Sequence, residues 1–248
     1  MILLLKLILA HLVSDFILQP ESWIREKELK QQRSPRLYLH AIIHGVLTML
    51  LVWDITFWPP AVVIVVTHYV IDLSKVKFQK AHNKKRWFIM DQLLHIIVLG
   101  SVWYYWQRPD FSPVFFHADR DVILFITAAV FLTSPASLII KILISQWTPD
   151  TIPALGASLP DAGKFIGILE RFLVFIFVLN NHWEAVGFLL AAKSVFRFGN
   201  LKESYDRKLT EYVLIGTLLS FSVALAVAIL VSAILNDVIP KLISIVTL

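Results

Sequence analysis

The sequence predicts an all-α fold, a polytopic membrane bundle of about eight transmembrane helices. Three observations predict it. Of the 248 residues, 57% are hydrophobic and only 17% charged, with a mean hydropathy of +0.71. The apolar residues fall in runs long enough to cross a hydrocarbon core of ~30 Å, which takes about 20 residues. Most of the charges gather between those runs. A soluble core of this size cannot hide so much apolar sequence, so a disordered chain and a soluble enzyme are both excluded. The absence of cysteine excludes disulfides, thiolate ligands and a Cys nucleophile.

The spans are read at 2 to 19, 37 to 54, 59 to 76, 87 to 106, 121 to 145, 163 to 180, 184 to 200 and 210 to 236. The first has no basic leader and no small-residue cleavage site, so it reads as a retained span and not a signal peptide. Segment 21 to 35, ESWIREKELKQQRSP, is too polar to span and reads as a helix lying at the interface, anchored by Trp23. Pro59 and Pro60 open the third span, and Pro135 should bend the fifth. Pro149, Pro153 and Pro160 mark the loop before the sixth, QWTPDTIPALGASLPDAG, which either folds back as a lid or simply connects. Lys193 and Arg197 interrupt the seventh, and the count becomes seven if that segment re-enters. Residues 1–248 thus read as a single integral membrane domain in two halves, 1–106 and 121–236.

Fifteen Lys and Arg fall in connections on one side of such a bundle, against Arg108, Arg120 and Lys241 on the other. The positive-inside rule places the basic side in the cytoplasm and both termini outside. The net charge of +5 is then a topology signal, and the expected partner is the lipid bilayer with no nucleic acid.

Four of the spans carry His or Asp four residues apart: His11 and Asp15, His40 and His44, His68 and Asp72, Asp91 and His95. Residues at i and i+4 share a helix face, and about two of the eight His would be so paired by chance. Six are, although one of them, His117 with Asp121, lies on the opposite side of the membrane. Depth is the stronger signal. Counted from the cytoplasmic ends at 1.5 Å per residue, Asp15, His40, Asp72 and Asp91 fall at about 6 Å, and His11, His44, His68 and His95 at about 12 Å. Helices running inward read His then Asp, and the fourth, running outward, reads Asp then His.

An Asp in hydrocarbon costs about 2.5 kcal/mol or more, so something must pair these groups. Imidazole with carboxylate is the ligand set of a divalent transition metal, zinc first, with iron or manganese as alternatives. Helical bundles surround dinuclear sites with such residues. Eight candidates exceed the four that one tetrahedral zinc takes, which fits two ions, or one ion with Asp residues orienting the His rings. Without metal, the same groups would form a hydrogen-bond network that holds helices together or relays protons.

On the later spans, Glu170 and Arg171 lie about 10 Å deep by the same rise. Arg171, Lys193 and Arg197 either snorkel to the interface or bind an anionic group such as a lipid phosphate. Gly163 and Gly167 in GKFIG read as a helix-packing pair. No GxSxG, HExxH or Gly-rich nucleotide motif occurs.

The segments HLVSDFILQ, HYVIDLSK and DQLLH, followed by GKFIGILERF, AAKSVFRFG and EYVLIGTLLS, resemble a bacterial inner-membrane family labelled domain of unknown function 3307. The resemblance covers most of the chain and implies a bacterial inner-membrane protein with one composite site, without implying a reaction. The HxxxD pairs also resemble those of membrane zinc transporters, and the His clusters resemble those of membrane metallo-hydrolases, but neither full motif set is present.

These readings lead to a membrane-embedded metal-dependent hydrolase that acts on a lipid or phosphate-containing substrate from the cytoplasmic side. His11, Asp15, His40, His44, His68, Asp72, Asp91 and His95 would hold one or two ions, Asp91 or Asp15 would serve as general base, and Arg171, Lys193 and Arg197 would bind the substrate's anionic part. The alternatives are a cation or proton-coupled transporter using the same ligands, and a membrane scaffold whose His/Asp network is structural.

Overall fold

The computed structural model describes residues 1–106, 120–148, 161–198 and 204–236, without the side chains of 196–198 and 204–207. The described residues form helices and short 3₁₀ turns, with no strand among them. The chain divides into two compact units, Met1–Val130 and Phe131–Leu248.

In the first unit, α1 (Ile2–Phe16) is followed at Pro20 by α2 (Glu21–Lys30), and the two axes diverge by 79°. The bend follows from composition, because α1 is apolar whereas ESWIREKELK has one buried residue, Lys27. The expected interfacial helix is therefore α2 and a 3₁₀ turn over Gln31–Arg33. Next, α3 (Pro35–Val52) begins on a proline that needs no N–H partner and stops at Trp53, whose φ of 57° cannot continue a right-handed helix. Asp54 then caps a 3₁₀ turn, accepting from the Thr56 amide at 2.8 Å. That turn leads into α4 (Trp58–Phe78), with Pro59 and Pro60 in its first turn as expected, and then α5 (Lys84–Tyr105).

The helices α1, α3, α4 and α5 close a four-membered ring in which α1 packs on α3 and α5, and α4 on the same two. Their polarity is reversed relative to a soluble bundle. On α3 the buried face is Leu37, His40, Ala41, His44, Gly45 and Thr48, whereas Ile42, Val46 and Leu50 point outward. On α5 the inward residues are Asp91, His95 and Leu99, with Leu93, Ile96 and Ile97 outside. An apolar exterior around a polar interior is stable in hydrocarbon and unfavourable in water. Gly45 is where α3 and α4 come closest: a Cβ there would collide with Val65 Cγ2.

The second unit contains α7 (Ser134–Ile144), α8 (Ala162–Leu179), α9 (Trp183–Phe198) and α10 (Ser204–Leu235), with α8 against α9 and α10, and α10 against α7. The helix before α7, α6 (Arg120–Leu132), stops just before Thr133, so the predicted fifth span is interrupted just before the proline expected to bend it, while Arg120–Trp147 still forms one candidate span. Arg171 serves that break, its Nε donating to the Leu132 carbonyl at 2.7 Å and Nη2 to that of Thr133 at 3.1 Å.

Among the described residues, five helical segments are long and apolar enough to cross a membrane: Pro35–Val52, Ile55–Phe78, Ala81–Tyr105, Arg120–Trp147 and Lys208–Leu235. Counting the bent α1–α2 pair makes six, against the eight spans expected. The difference has local causes. α1 has 15 residues, α9 has 16, and α8 carries Lys164, Glu170 and Arg171. The GKFIG pair also differs from expectation. Among the described residues a Cβ at Gly163 meets nothing within 4 Å, and one at Gly167 meets Arg171 Nη1 at 3.2 Å, a residue of the same helix, so neither glycine marks a helix crossing there. The 149–160 stretch of the proposed lid, and His117 and Asp119, lie outside the described residues.

Gly45→Val should destabilise the first unit by about 1–3 kcal/mol, as overpacking at a closed crossing does. Thermal unfolding in detergent reads this, and an unchanged transition would show that α3 and α4 do not need their close approach.

Candidate metal centre

The i, i+4 spacing sets two polar side chains on the inward face of each ring helix, and the ring brings all four faces together. His11, His40, His44, His68, Asp72, Asp91 and His95 are each at most 5% exposed, and the Asp15 side chain is 8% exposed. The imidazoles form a contiguous stack. Ring centroids are 3.6 Å apart for His44 and His68 and 4.1 Å for His68 and His95, with His11 5.2 Å from His95 and His40 4.9 Å from His44. All four His expected in the deeper layer are in mutual contact through this stack.

Each of the three carboxylates has one oxygen held by a Lys or Gln side chain and faces imidazoles with the other, and the held oxygens of Asp15 and Asp72 also lie 3.9 Å from His11 Nδ1 and 3.8 Å from His40 Nε2. Asp15 Oδ1 accepts from His44 Nε2 at 2.7 Å and lies 3.2 Å from His40 Nε2 and 3.7 Å from His68 Nε2, while its Oδ2 accepts from the Gln92 amide at 3.1 Å. Asp91 Oδ1 lies 3.5 Å from His95 Nε2, while Oδ2 accepts from Lys75 Nζ at 2.7 Å and from Gln92 Nε2 at 3.1 Å. Asp72 Oδ1 lies 3.8 Å from His95 Nε2 and 4.0 Å from His68 Nε2, while Oδ2 accepts from Lys27 Nζ at 2.5 Å. Gln92 also accepts at Oε1 from His11 Nε2, at 3.2 Å. Holding one oxygen fixes the direction of the other, which is how outer partners orient metal ligands.

Several inward atoms nevertheless lack a hydrogen-bond partner: both ring nitrogens of His40, Nε2 of His68 and His95, and Oδ1 of Asp91. Each such buried group costs about 1–3 kcal/mol, so the cluster is not self-sufficient as a protein-only network. The residues fit a metal ion instead. Three sets have ligand atoms all within 4.8 Å of one another: His11, Asp15, His44 and His68; His40, His68 and Asp72; Asp15, Asp91 and His95. Together they contain all eight residues that the sequence nominated. Burial, donor chemistry and mutual reach make these clusters able to hold a metal ion.

Three functional residues escape a sequence reading. Lys75 continues the stripe of His68 and Asp72 one turn further, which is a usable signal, and Gln92 sits beside Asp91 in DQLLH. Lys27 has no local signal, because its partner Asp72 is 45 residues away and its own segment looks uniformly polar.

The three basic residues nominated for anion binding belong to the second unit. Arg171 adds to its two carbonyls the Ser137 hydroxyl at 2.6 Å and that of Ser220 at 3.3 Å, and Lys193 Nζ donates to Glu170 at 2.5 Å. The Arg197 side chain lies outside the described residues.

Residues 3–124 match the family model described as "Protein of unknown function (DUF3307)". The matched segment contains the four ring helices and all eight clustered residues and is just under half of the chain, so the resemblance rests on this part; GKFIGILERF, AAKSVFRFG and EYVLIGTLLS lie beyond it. No curated relative and no solved structure matches the chain.

Lys75→Met should destabilise the fold by about 3 kcal/mol, because it leaves the buried Asp91 without its ammonium. Adding Asp91→Asn should restore most of the loss. Thermal unfolding of the single and double variants reads the coupling, and additive losses would show that the pair does not act as a unit.

Proposed function

We propose that this chain is a membrane-embedded metal-binding protein that hydrolyses a lipid or other phosphate-containing substrate from the cytoplasmic side of a bacterial inner membrane. One observation carries the reading. Among the described residues no Lys or Arg pairs with Asp15, and this carboxylate lies within 4.8 Å reach of His11, His44 and His68 in a buried four-ligand set. Lys27 and Lys75 offset Asp72 and Asp91, so among the described residues Asp15 is the one of the three carboxylates that no ammonium meets. A divalent cation there reverses the local sign and attracts an anionic substrate.

Zinc is the first candidate, with iron or manganese as alternatives; such an ion polarises a phosphoryl oxygen and acidifies a water. His11, Asp15, His44 and His68 hold it, and the remaining His and Asp complete neighbouring sets. Asp91 is better placed than Asp15 as general base, since its inward Oδ1 has no partner whereas that of Asp15 already accepts from His44. Lys75 and Gln92 hold Asp91 in that orientation.

A cation or proton-coupled transporter would use the same ligands but needs a path to the far end of the bundle. Leu7, Phe57, Ala61, Ile64 and Leu99 fill that end in one cluster, with Leu7 and Leu99 one turn beyond His11 and His95. This apolar plug favours access from one end, as an enzyme requires.

Elemental analysis after purification without chelators should find a transition metal in the wild type, and His44→Ala and Asp72→Ala should lose most of it. A metal-free wild type would overturn the reading. Zinc affinity should fall as pH falls, because protons compete for the imidazole nitrogens, and zinc uptake at constant pH should release protons to the buffer. Phosphate-ester hydrolysis that stops on chelation and returns with zinc would establish the enzyme, whereas zinc uptake into proteoliposomes lost in the same variants would establish the transporter.

A further inference from the structure

Of the three ligand sets, His40 with His68 and Asp72 is the one whose geometry is contested. The Asp72 oxygen within 4.0 Å of His40 Nε2 is Oδ2, at 3.8 Å, and that same atom accepts from the Lys27 ammonium at 2.5 Å. Asp15 Oδ1 faces His44 and Asp91 Oδ1 faces His95, each an oxygen that no ammonium holds, and Asp72 Oδ1 faces His95 and His68 in the same way; what sets Asp72 apart is that its contact with His40 runs through the oxygen that Lys27 holds. His40 is 1% exposed and neither of its ring nitrogens has a hydrogen-bond partner. His40 Nε2 thus faces two carboxylate oxygens, Asp15 Oδ1 at 3.2 Å and Asp72 Oδ2 at 3.8 Å, and the second already carries a cation that comes from another helix.

Lys27 is also the one buried residue of α2. The other ties of that helix lie nearer the surface: Glu28 with Lys84 at 2.6 Å and Gln79 at 3.0 Å, and Glu26 with Arg36 at 3.7 Å and Ser34 at 3.4 Å. Solvent-exposed pairs of this kind hold a helix weakly, so the Lys27 ammonium in its buried seat is the main anchor of α2.

We infer that the Lys27 ammonium is the resident cation of an exchangeable divalent-metal site formed by His40, His68 and Asp72, and that metal entering this site expels Lys27 and releases α2 from the bundle. The inference rests on the metal-binding reading above and adds to it a second site with its own regulator. An ammonium and a divalent ion repel each other strongly across one carboxylate oxygen in a poorly screened interior, so the two cations exclude one another. The Asp15 set, which no lysine contests, fills first. The Asp72 set fills at higher metal concentration, taking His68 from the Asp15 set and leaving the first ion on His11, Asp15 and His44, and α2 stays docked until it does.

The test compares zinc binding by the full chain in detergent, wild type against Lys27→Met, by titration calorimetry and elemental analysis. The tight zinc of the Asp15 set should be unchanged, and the weaker zinc should bind about tenfold tighter or more in the variant, the range over which an outer partner alters metal affinity. Adding His40→Ala should remove that gain. In the wild type, acylation of Lys27 by an amine-reactive reagent, read by mass spectrometry against Lys84 as internal reference, should rise severalfold at saturating zinc. This second measurement stands even if Lys27→Met does not fold. Equal zinc titrations for wild type and variant, or a Lys27 that stays unreactive at saturating zinc, would overturn the exchange while leaving the tight site intact. Absence of zinc from both proteins would overturn the metal reading itself.

Discussion

Three aspartates inside an apolar-faced ring of helices set the terms for the rest of the first unit. An ionised carboxylate in hydrocarbon is costly, and three close together add mutual repulsion. Asp72 and Asp91 are each met by an ammonium, from Lys27 and Lys75. Asp15 is met by imidazoles and the Gln92 amide, with no Lys or Arg against it among the described residues. That imbalance orders the site, because it identifies the carboxylate at which a further cation is most stabilising, and it lies in the set with the most ligands. The bend between α1 and α2 belongs to the same logic: a straight continuation would carry Lys27 away, whereas the 79° turn brings its buried side chain to Asp72.

In each carboxylate one oxygen is held by a Lys or Gln side chain and the other is approached by imidazoles alone, which separates this cluster from an ordinary buried network. In a closed network polar atoms find partners among themselves, and unsatisfied ones are rare. Here the atoms without partners are concentrated on the inner side, on His40, His68, His95 and Asp91. The apolar plug of Leu7, Phe57, Ala61, Ile64 and Leu99 lies at the opposite end of the ring from α2, so the polar chemistry has one approach and that approach is where α2 sits.

The second unit solves a different problem with a related device. Pro135 interrupts a helix in an apolar stretch and leaves backbone carbonyls to be satisfied, and Arg171 reaches Leu132 and Thr133 with the planar fork of donors that suits two adjacent acceptors. Ser137 and Ser220 take its remaining directions. A buried charge thus stabilises a broken helix, just as buried lysines stabilise the aspartates, and Lys193 with Glu170 follows the same rule one residue away.

Composition and the 3.6-residue period by themselves determined the helical class, the polar character of 21–35, the irregularity of the fifth span near Pro135 and the membership of the His/Asp cluster. All of these are local: an i, i+4 pair names its own face, and depth counted along a helix is a matter of rise per residue. The span count was less legible, because an apolar window weighs neither the length of a helix such as α1 or α9 nor the charges on one such as α8. Only the tertiary structure decided which carboxylate oxygen faces which imidazole, that Gln92 joins Asp15 to Asp91, and that Lys27 rather than a neighbour on its own helix reaches Asp72. Those pairings join residues up to 81 positions apart, His11 to Gln92 among them. No periodicity encodes them, since they depend on how four helices close into a ring, and their closure is fixed by packing such as that of Gly45 on Val65 and not by any one segment's pattern.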